Sequence, residues 1–190
     1  MGKKRIILGI TGASGMLYCL ELLEILRHEE VEVHGIISRA GAQVLSLEQG
    51  MEPGELPGVH TWHDRRDFTA PAASGSSPYD AMVILPCTTG TLAAVAAGLS
   101  TNLIHRAADV TLKERRPLLL AVREMPFNRT HLTNMLALHD AGAVICPPVP
   151  AFYQHPKTLS AMARNYAGRL CDLLGIRVRD LPRWQGVDHA

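Results

Sequence analysis

The chain has 190 residues, 47% of them hydrophobic, with 19 Lys and Arg against 18 Asp and Glu and a formal net charge of +1. That length suffices for one domain burying about 70% of its unfolded surface, without a disulfide or structural metal. So balanced a charge excludes a general attraction to nucleic acid or to an anionic membrane surface. The apolar run behind Lys3, Lys4 and Arg5 is too short for a signal peptide and no later segment is long enough to span a bilayer, so the expectation is a cytoplasmic protein.

From the N-terminus, Arg5 to Ile10 is a short apolar run without helical spacing, predicted as a buried first strand. It stops at a loop holding Thr11, Gly12, Ala13, Ser14 and Gly15. Glycines there let the backbone approach a ligand, and the helix that follows offers free N–H groups to an anion. Leu17, Leu20, Leu23, Ile25 and Leu26 carry that helix to His28. Val31, Val33, Ile36 and Ile37 predict a second strand ending at Ser38 and Arg39, and a helix runs from Ala40 to about Glu48. Gly50, Pro53, Gly54, Pro57 and Gly58 mark an irregular excursion, and Phe68 to Tyr79 a second polar loop. Ala81 to Leu85 is a third strand, closed by Pro86 and the hydroxyl-rich Thr88, Thr89, Gly90 and Thr91. Helices follow over about 92–97 and 103–114. Leu118 to Val122 is a fourth strand, Thr130 to His139 a helix and Ala143 to Cys146 a fifth strand. A proline-rich loop, Pro147 to Pro156, leads to a last helix over about 159–174 and a tail over about 175–190.

Alternating strands and helices predict a single three-layer αβα domain with a parallel sheet, of Rossmann or flavodoxin type. Each strand then delivers groups that bind anions or hydroxyls to one edge: Thr11 and Ser14, Ser38 and Arg39, Thr88 and Thr91, Arg123 and Glu124, Tyr153. Their convergence predicts a composite site. Each also has a plainer reading. The spacing of Gly9, Gly12 and Gly15 is not the dinucleotide GxGxxG, Thr88 to Thr91 can simply cap a helix, and Arg106, Asp109 and Lys113 can form a solvated ion pair from Asp109 to Lys113. Arg123 and Glu124 close the apolar strand LLLAV, where a charged pair is expected to be partly buried and therefore functional. Cys19, Cys146 and Cys171 read as core residues and Cys87 as a residue of the site loop. No histidine or cysteine spacing suggests a metal.

With these residues in view, the chain resembles the flavin prenyltransferases of the UbiX family. The likeness rests on ITGASG at 10–15, APAASGS at 70–76, PCTTGT at 86–91, NLIHRAADVTLKERRPL at 102–118, REMPF at 123–127, HLTNML at 131–136, PPVPAFYQHPKT at 147–158 and LPRW at 181–184. It implies joining of a dimethylallyl group, supplied as dimethylallyl phosphate, to reduced FMN. The prenylated FMN serves a decarboxylase of the UbiD type. By motif, Gly12, Ala13, Ser14, Ser38, Thr88, Thr89, Gly90, Thr91 and Arg123 hold FMN, Arg106, Lys113, Tyr153 and Arg169 hold the prenyl phosphate, and Ser14 and Glu124 move protons. No metal is implied. The family usually has serine at the position of Thr88, and relatives can carry tryptophan at that of Phe68. The resemblance also implies a homo-oligomer, commonly a dodecamer, with sites at subunit contacts and Trp184 near a neighbour's site. Three alternatives are weaker. Flavin-dependent cysteine decarboxylases carry a PxMNxxMW segment where this chain has PPVPAFYQHP, an NADP-dependent reductase needs a different glycine pattern, and an FMN carrier leaves Arg106, Lys113, Tyr153 and Arg169 without work.

Overall fold

Among the described residues there are six strands and six helices, and most of the strands are short apolar runs of the kind that is buried when both faces of a sheet are covered. The computed structural model describes residues 3–179, 181 and 183–186, so positions 180, 182 and 187–190 of the expected tail lie outside the described residues. The strands are β1 (Arg5–Ile10), β2 (Glu32–Ile37), β3 (Val59–Trp62), β4 (Ala81–Cys87), β5 (Leu118–Val122) and β6 (Val144–Ile145). They form one parallel sheet in the order β3-β2-β1-β4-β5-β6. The helices are α1 (Met16–His28), α2 (Arg39–Gln49), α3 (Thr89–Ala96), α4 (Leu103–Lys113), α5 (Arg129–Asp140) and α6 (Leu159–Leu173).

The period of two along β1 sends Ile6, Leu8 and Ile10 to one face and Ile7 to the other. The first set packs with Leu22 and Leu26 of α1 and Leu170 of α6, while Ile7 joins Met82, Ile84, Ile104 and Ala107 in a second cluster toward α4. Each fully buried leucine or isoleucine there contributes about 1.5–3 kcal/mol relative to exposure. The three layers expected from the alternation are therefore present, with the core divided between the two faces of the sheet.

One strand escaped the sequence reading. Val59–Trp62 follows directly on the stretch expected to be irregular, in a segment for which no element is predicted, yet it pairs with β2 as the edge strand β3. Its four residues include two polar ones and none is fully buried, so its own pattern carries no signal; β2 supplies the pairing. Gly35 of β2 makes room for it, because a Cβ at that position would lie 2.6 Å from the Trp62 ring. The second difference is that β6 has only two residues, against the four expected over 143–146.

The chain reverses direction across the sheet between β1 and β4: β2 and β3 lie to one side, β5 and β6 to the other. In an open parallel sheet this is where the loops at the carboxyl ends splay apart and a ligand crevice forms. The turn after β1 carries Thr11, Gly12, Ser14 and Gly15, and the one after β4 carries Thr88 and leads into Thr89, Gly90 and Thr91.

Candidate functional site

Thr11 joins these two loops. Its hydroxyl donates to the Pro86 carbonyl at 2.8 Å and accepts from the Thr88 N–H at 2.9 Å, and its own N–H donates to Pro86 O at 3.2 Å. At 2% exposure it is a structural tie rather than a ligand contact. Gly12 lets the β1–α1 loop lie against α2, since a Cβ there would come 2.4 Å from the Ala40 Cβ. Gly15 sits at the N-cap of α1 with φ of 115°, a left-handed conformation that favours glycine.

The N-terminus of α1, expected to receive a ligand's anion, is instead occupied by the chain's own carboxylate. Glu48, in the last turn of α2, accepts from Gly15 N at 3.0 Å and from Met16 N at 2.8 Å, and from the Ser14 hydroxyl. Burial pushes the Glu48 carboxyl up. The Ser14, Met16 and Gly15 hydrogen bonds and the charge of Arg123 outweigh that and hold it below the usual carboxylate range. Glu48 was missed because nothing in its own segment marks it. Only the return of α2 alongside the start of α1 brings it to Ser14.

The other helix start at this edge is that of α3. Thr88 caps it, accepting from Thr91 N at 3.1 Å and donating to the Thr91 hydroxyl at 3.0 Å. Thr89 and Gly90 stand in its first turn, where N–H groups have no acceptor within the helix. Ser38 caps α2 in the same way, accepting from Gly41 N at 2.9 Å, and borders a cavity of about 410 Å³ with Arg39, Trp62, His63 and Arg65. The capping reading is thus correct for Thr88, and Ser38, for which no cap is predicted, is a helix cap as well. Arg123 joins the group through its N–H, which donates to Cys87 O at 3.0 Å.

Arg123 and Glu124 themselves are exposed, contrary to the expected partial burial. β5 ends at Val122, and the 125–128 turn that follows leads outward, with Met125 88% exposed, so among the described residues nothing covers the pair. The Glu124 side chain accepts from Met125 N at 3.0 Å. Cys87 is fully buried and burial pushes its thiol far up, which makes it a core residue and not a nucleophile. Cys19 and Cys171 are buried as expected, and burial pushes the half-buried Cys146 up to about 12.

Arg106 and Lys113 lie two turns apart on the side of α4 that faces the 71–77 segment. Arg106 Nε donates to Ala73 O at 3.1 Å, and the space a Cβ on Gly75 would take is held by Lys113 and Glu114. The expected pair from Asp109 to Lys113 does not form. Asp109 pairs with Arg106 at 2.8 Å, and Lys113 pairs with Glu114. The remaining two candidates, Tyr153 and Arg169, share a cavity of about 420 Å³ with Asp172, Leu181, Arg183 and Trp184, and no residue of the β1, β2 or β4 loops lines it. A single chain therefore gathers Gly12 to Ser14, Ser38 and Thr88 to Thr91 with Arg123 at one edge, and presents Arg106 with Lys113 and Tyr153 with Arg169 elsewhere. Phe68 is 47% exposed, and Trp184 meets the Tyr153 ring edge-on at 5.4 Å. Among the described residues no group of three or more His, Cys, Asp or Glu is placed to hold a metal ion, and no helix is long and apolar enough to cross a membrane.

Residues 1–166 match the Flavoprotein family. The chain is similar to the flavin prenyltransferase UbiX of Pseudomonas aeruginosa, at 47% identity over 99% of this chain and 97% of that protein. It superimposes on AnUbiX (PadA1), crystallised in complex with FMN and dimethylallyl pyrophosphate, with a TM-score of 0.96 at 38% identity over 98% of this chain and 100% of the other. A dodecameric, FMN-dependent UbiX-like decarboxylase from Escherichia coli gives a TM-score of 0.92 at 38% identity over 96% of this chain and 100% of that one.

Proposed function

We infer the reaction from one premise: the chain belongs to the Flavoprotein family and, within it, to the flavin prenyltransferases of the UbiX type. It is a prenyltransferase that joins a dimethylallyl group to reduced FMN and releases prenylated FMN. What supports this reading is that the candidate anion-binding residues fall into two separate groups. One is the α3 N-terminus with Ser38, Thr88 to Thr91 and Arg123; the other is the Tyr153 and Arg169 cavity. A reaction between two phosphorylated substrates needs both, and an FMN carrier needs only one.

In this reading Gly12, Ala13 and Ser14 would border FMN, and its phosphate would be held by the hydroxyls of Ser38, Thr88, Thr89 and Thr91, the N–H groups of Thr89 and Gly90, and Arg123. The free N–H groups of a helix start and a guanidinium suit a dianion. Gly12, packed against Ala40, fixes the path of the β1–α1 loop beside α2. Arg106, Lys113, Tyr153 and Arg169 hold dimethylallyl phosphate and stabilise the charge that gathers on phosphate as the allylic C–O bond breaks, which is the step preorganised cations accelerate most. Reduced FMN supplies the electron-rich ring that captures the allylic group. Glu124 accepts a proton released on ring closure. Ser14, held by Glu48, can pass a proton along the same edge.

The chain acts as a homo-oligomer with its sites at subunit contacts. Its exposed apolar residues support this: Met125, Leu132, Leu136, Val149 and Phe152 are 54–88% exposed, and α5 buries only Leu138. Exposed apolar residues of this kind mark protein contacts, and Met125 follows Arg123 and Glu124 directly in the chain. A second copy there would bury that pair and bring a neighbour's Arg169 and Tyr153 to the flavin edge. We take the whole chain as one flavin-binding domain with a C-terminal tail, working in the cytoplasm and handing prenylated FMN to a UbiD-type decarboxylase. The test is release of inorganic phosphate from dimethylallyl phosphate under anaerobic conditions. Release is expected with reduced FMN and absent with oxidised FMN; equal release with both contradicts the reading.

A further inference from the structure

Arg169 and Asp172 stand three residues apart on α6, and Arg183 approaches them from the tail that follows it. Asp172 Oδ2 accepts from Arg169 Nη1 at 2.6 Å and from Arg183 Nη1 at 3.1 Å, and its Oδ1 accepts from Arg183 Nη2 at 2.8 Å. One carboxylate therefore holds two guanidinium groups, gripping Arg183 through both of its oxygens. Its side chain is 20% exposed, whereas those of Arg169 and Arg183 are 64% and 44% exposed. The bond to Arg183, then that to Arg169, hold the Asp172 carboxyl below the usual range against the opposing effect of burial.

The tail is attached at two further points. Leu181 covers Gly168, where a Cβ would lie 2.0 Å from the leucine Cδ1, and Trp184 stands edge-on against Tyr153. All these residues line the same cavity of about 420 Å³. The Asp172 contact thus lies between a group proposed to grip the prenyl phosphate, Arg169, and a wall of that cavity, Trp184. An unpaired arginine that is 64% exposed samples many rotamers, and fixing it before the substrate arrives removes that entropy from the binding step.

We propose that Asp172 is a positioning residue: it aims Arg169 at the prenyl phosphate and, through Arg183, holds the Trp184 segment as a wall of the same cavity. This rests on the assignment of Arg169 to the phosphate, so its test measures that assignment separately. The net charge of Arg169, Asp172 and Arg183 is +1, so the cavity keeps its attraction for an anion while both arginines are held.

The experiment compares Asp172→Asn, Asp172→Glu, Arg183→Ala, Arg169→Ala and the double variant Asp172→Asn with Arg169→Ala. KM for dimethylallyl phosphate, kcat, FMN affinity and acrylamide quenching of Trp184 are read for each; Trp184→Phe identifies that residue's share of the emission of the two tryptophans. Asp172→Asn is expected to raise KM about tenfold, as for the loss of about 1.4 kcal/mol of positioning, and to increase Trp184 quenching while FMN affinity stays the same. Asp172→Glu recovers part of both effects, and Arg183→Ala reproduces the quenching. In the Arg169→Ala background, Asp172→Asn adds little to KM, because the residue it acts through is gone. Full additivity in the double variant, or unchanged KM and quenching in Asp172→Asn while Arg169→Ala raises KM, overturns the role of Asp172 alone. Unchanged KM in Arg169→Ala overturns the phosphate assignment, and with it the positioning role. Parallel loss of FMN affinity in Asp172→Asn shows a general structural defect and also overturns it.

Discussion

Replacing Glu48 by glutamine removes a charge while keeping the shape, so the effect reports the electrostatics of the α1 N-terminus. The carboxylate accepts from Gly15 N at 3.0 Å, Met16 N at 2.8 Å and the Ser14 hydroxyl. A negative charge at a helix start stabilises by about 0.3–1 kcal/mol, and weakening two charge-assisted bonds to neutral ones adds a comparable amount. Glu48 is partly exposed and solvent screens it, so the net loss comes to about 1 kcal/mol. For a chain of this size that lowers the unfolding midpoint by about 2–4 °C. The folded carboxyl titrates below its unfolded value of about 4.3. The stabilisation is therefore full above that unfolded value and is lost as pH falls through the lower folded one. Thermal unfolding of the FMN-free protein and of Glu48→Gln, followed from about pH 7 to pH 3.5, is the assay. The gap in midpoint should hold down to about pH 5 and then shrink. Equal midpoints at pH 7, or a gap that ignores pH, refute the assignment of Glu48 as the charged cap of α1.

Glu124→Gln and Arg169→Ala should fail at different steps. The first lowers turnover roughly 10²–10⁴-fold with prenyl phosphate still bound, and the second weakens substrate binding by about 1.5–3 kcal/mol with FMN still bound; near-normal turnover in Glu124→Gln would make that carboxylate structural and the departing phosphate the base. Light scattering should give a mass several times 20.7 kDa, and Leu132→Glu with Leu136→Glu on α5 should lower both that mass and activity; a fully active monomer would contradict sites built at subunit contacts.

Much of the fold was legible because parallel strands buried on both faces read as continuous apolar runs, as RIILGI, AMVILP and LLLAV do. β3 was not, since VHTW is an edge strand defined by its partner and by the room left at Gly35. Within the site, the hydroxyl and glycine loops could be read from strand-to-helix punctuation, and Ser38 and Thr88 do stand where that rule places them. Glu48, Asp172 and Arg183 could not, because each gains its meaning from a contact between separate elements. Asp172 meets Arg183 across the turn after α6, and Glu48 meets Ser14 across the space between α2 and α1. The exposure of Arg123 and Glu124 was misjudged for a related reason: a strand end is covered only if something packs on it, and the described residues of this chain supply nothing there.

This chain builds a prenylated flavin. Incubating it anaerobically with reduced FMN and dimethylallyl phosphate, and weighing the flavin product by mass spectrometry, tests that directly. The account predicts a flavin heavier by one isoprene unit, formed only when protein, reduced FMN and the prenyl donor are all present. Recovery of unmodified FMN under these conditions, with dimethylallyl phosphate and with the pyrophosphate alike, contradicts it.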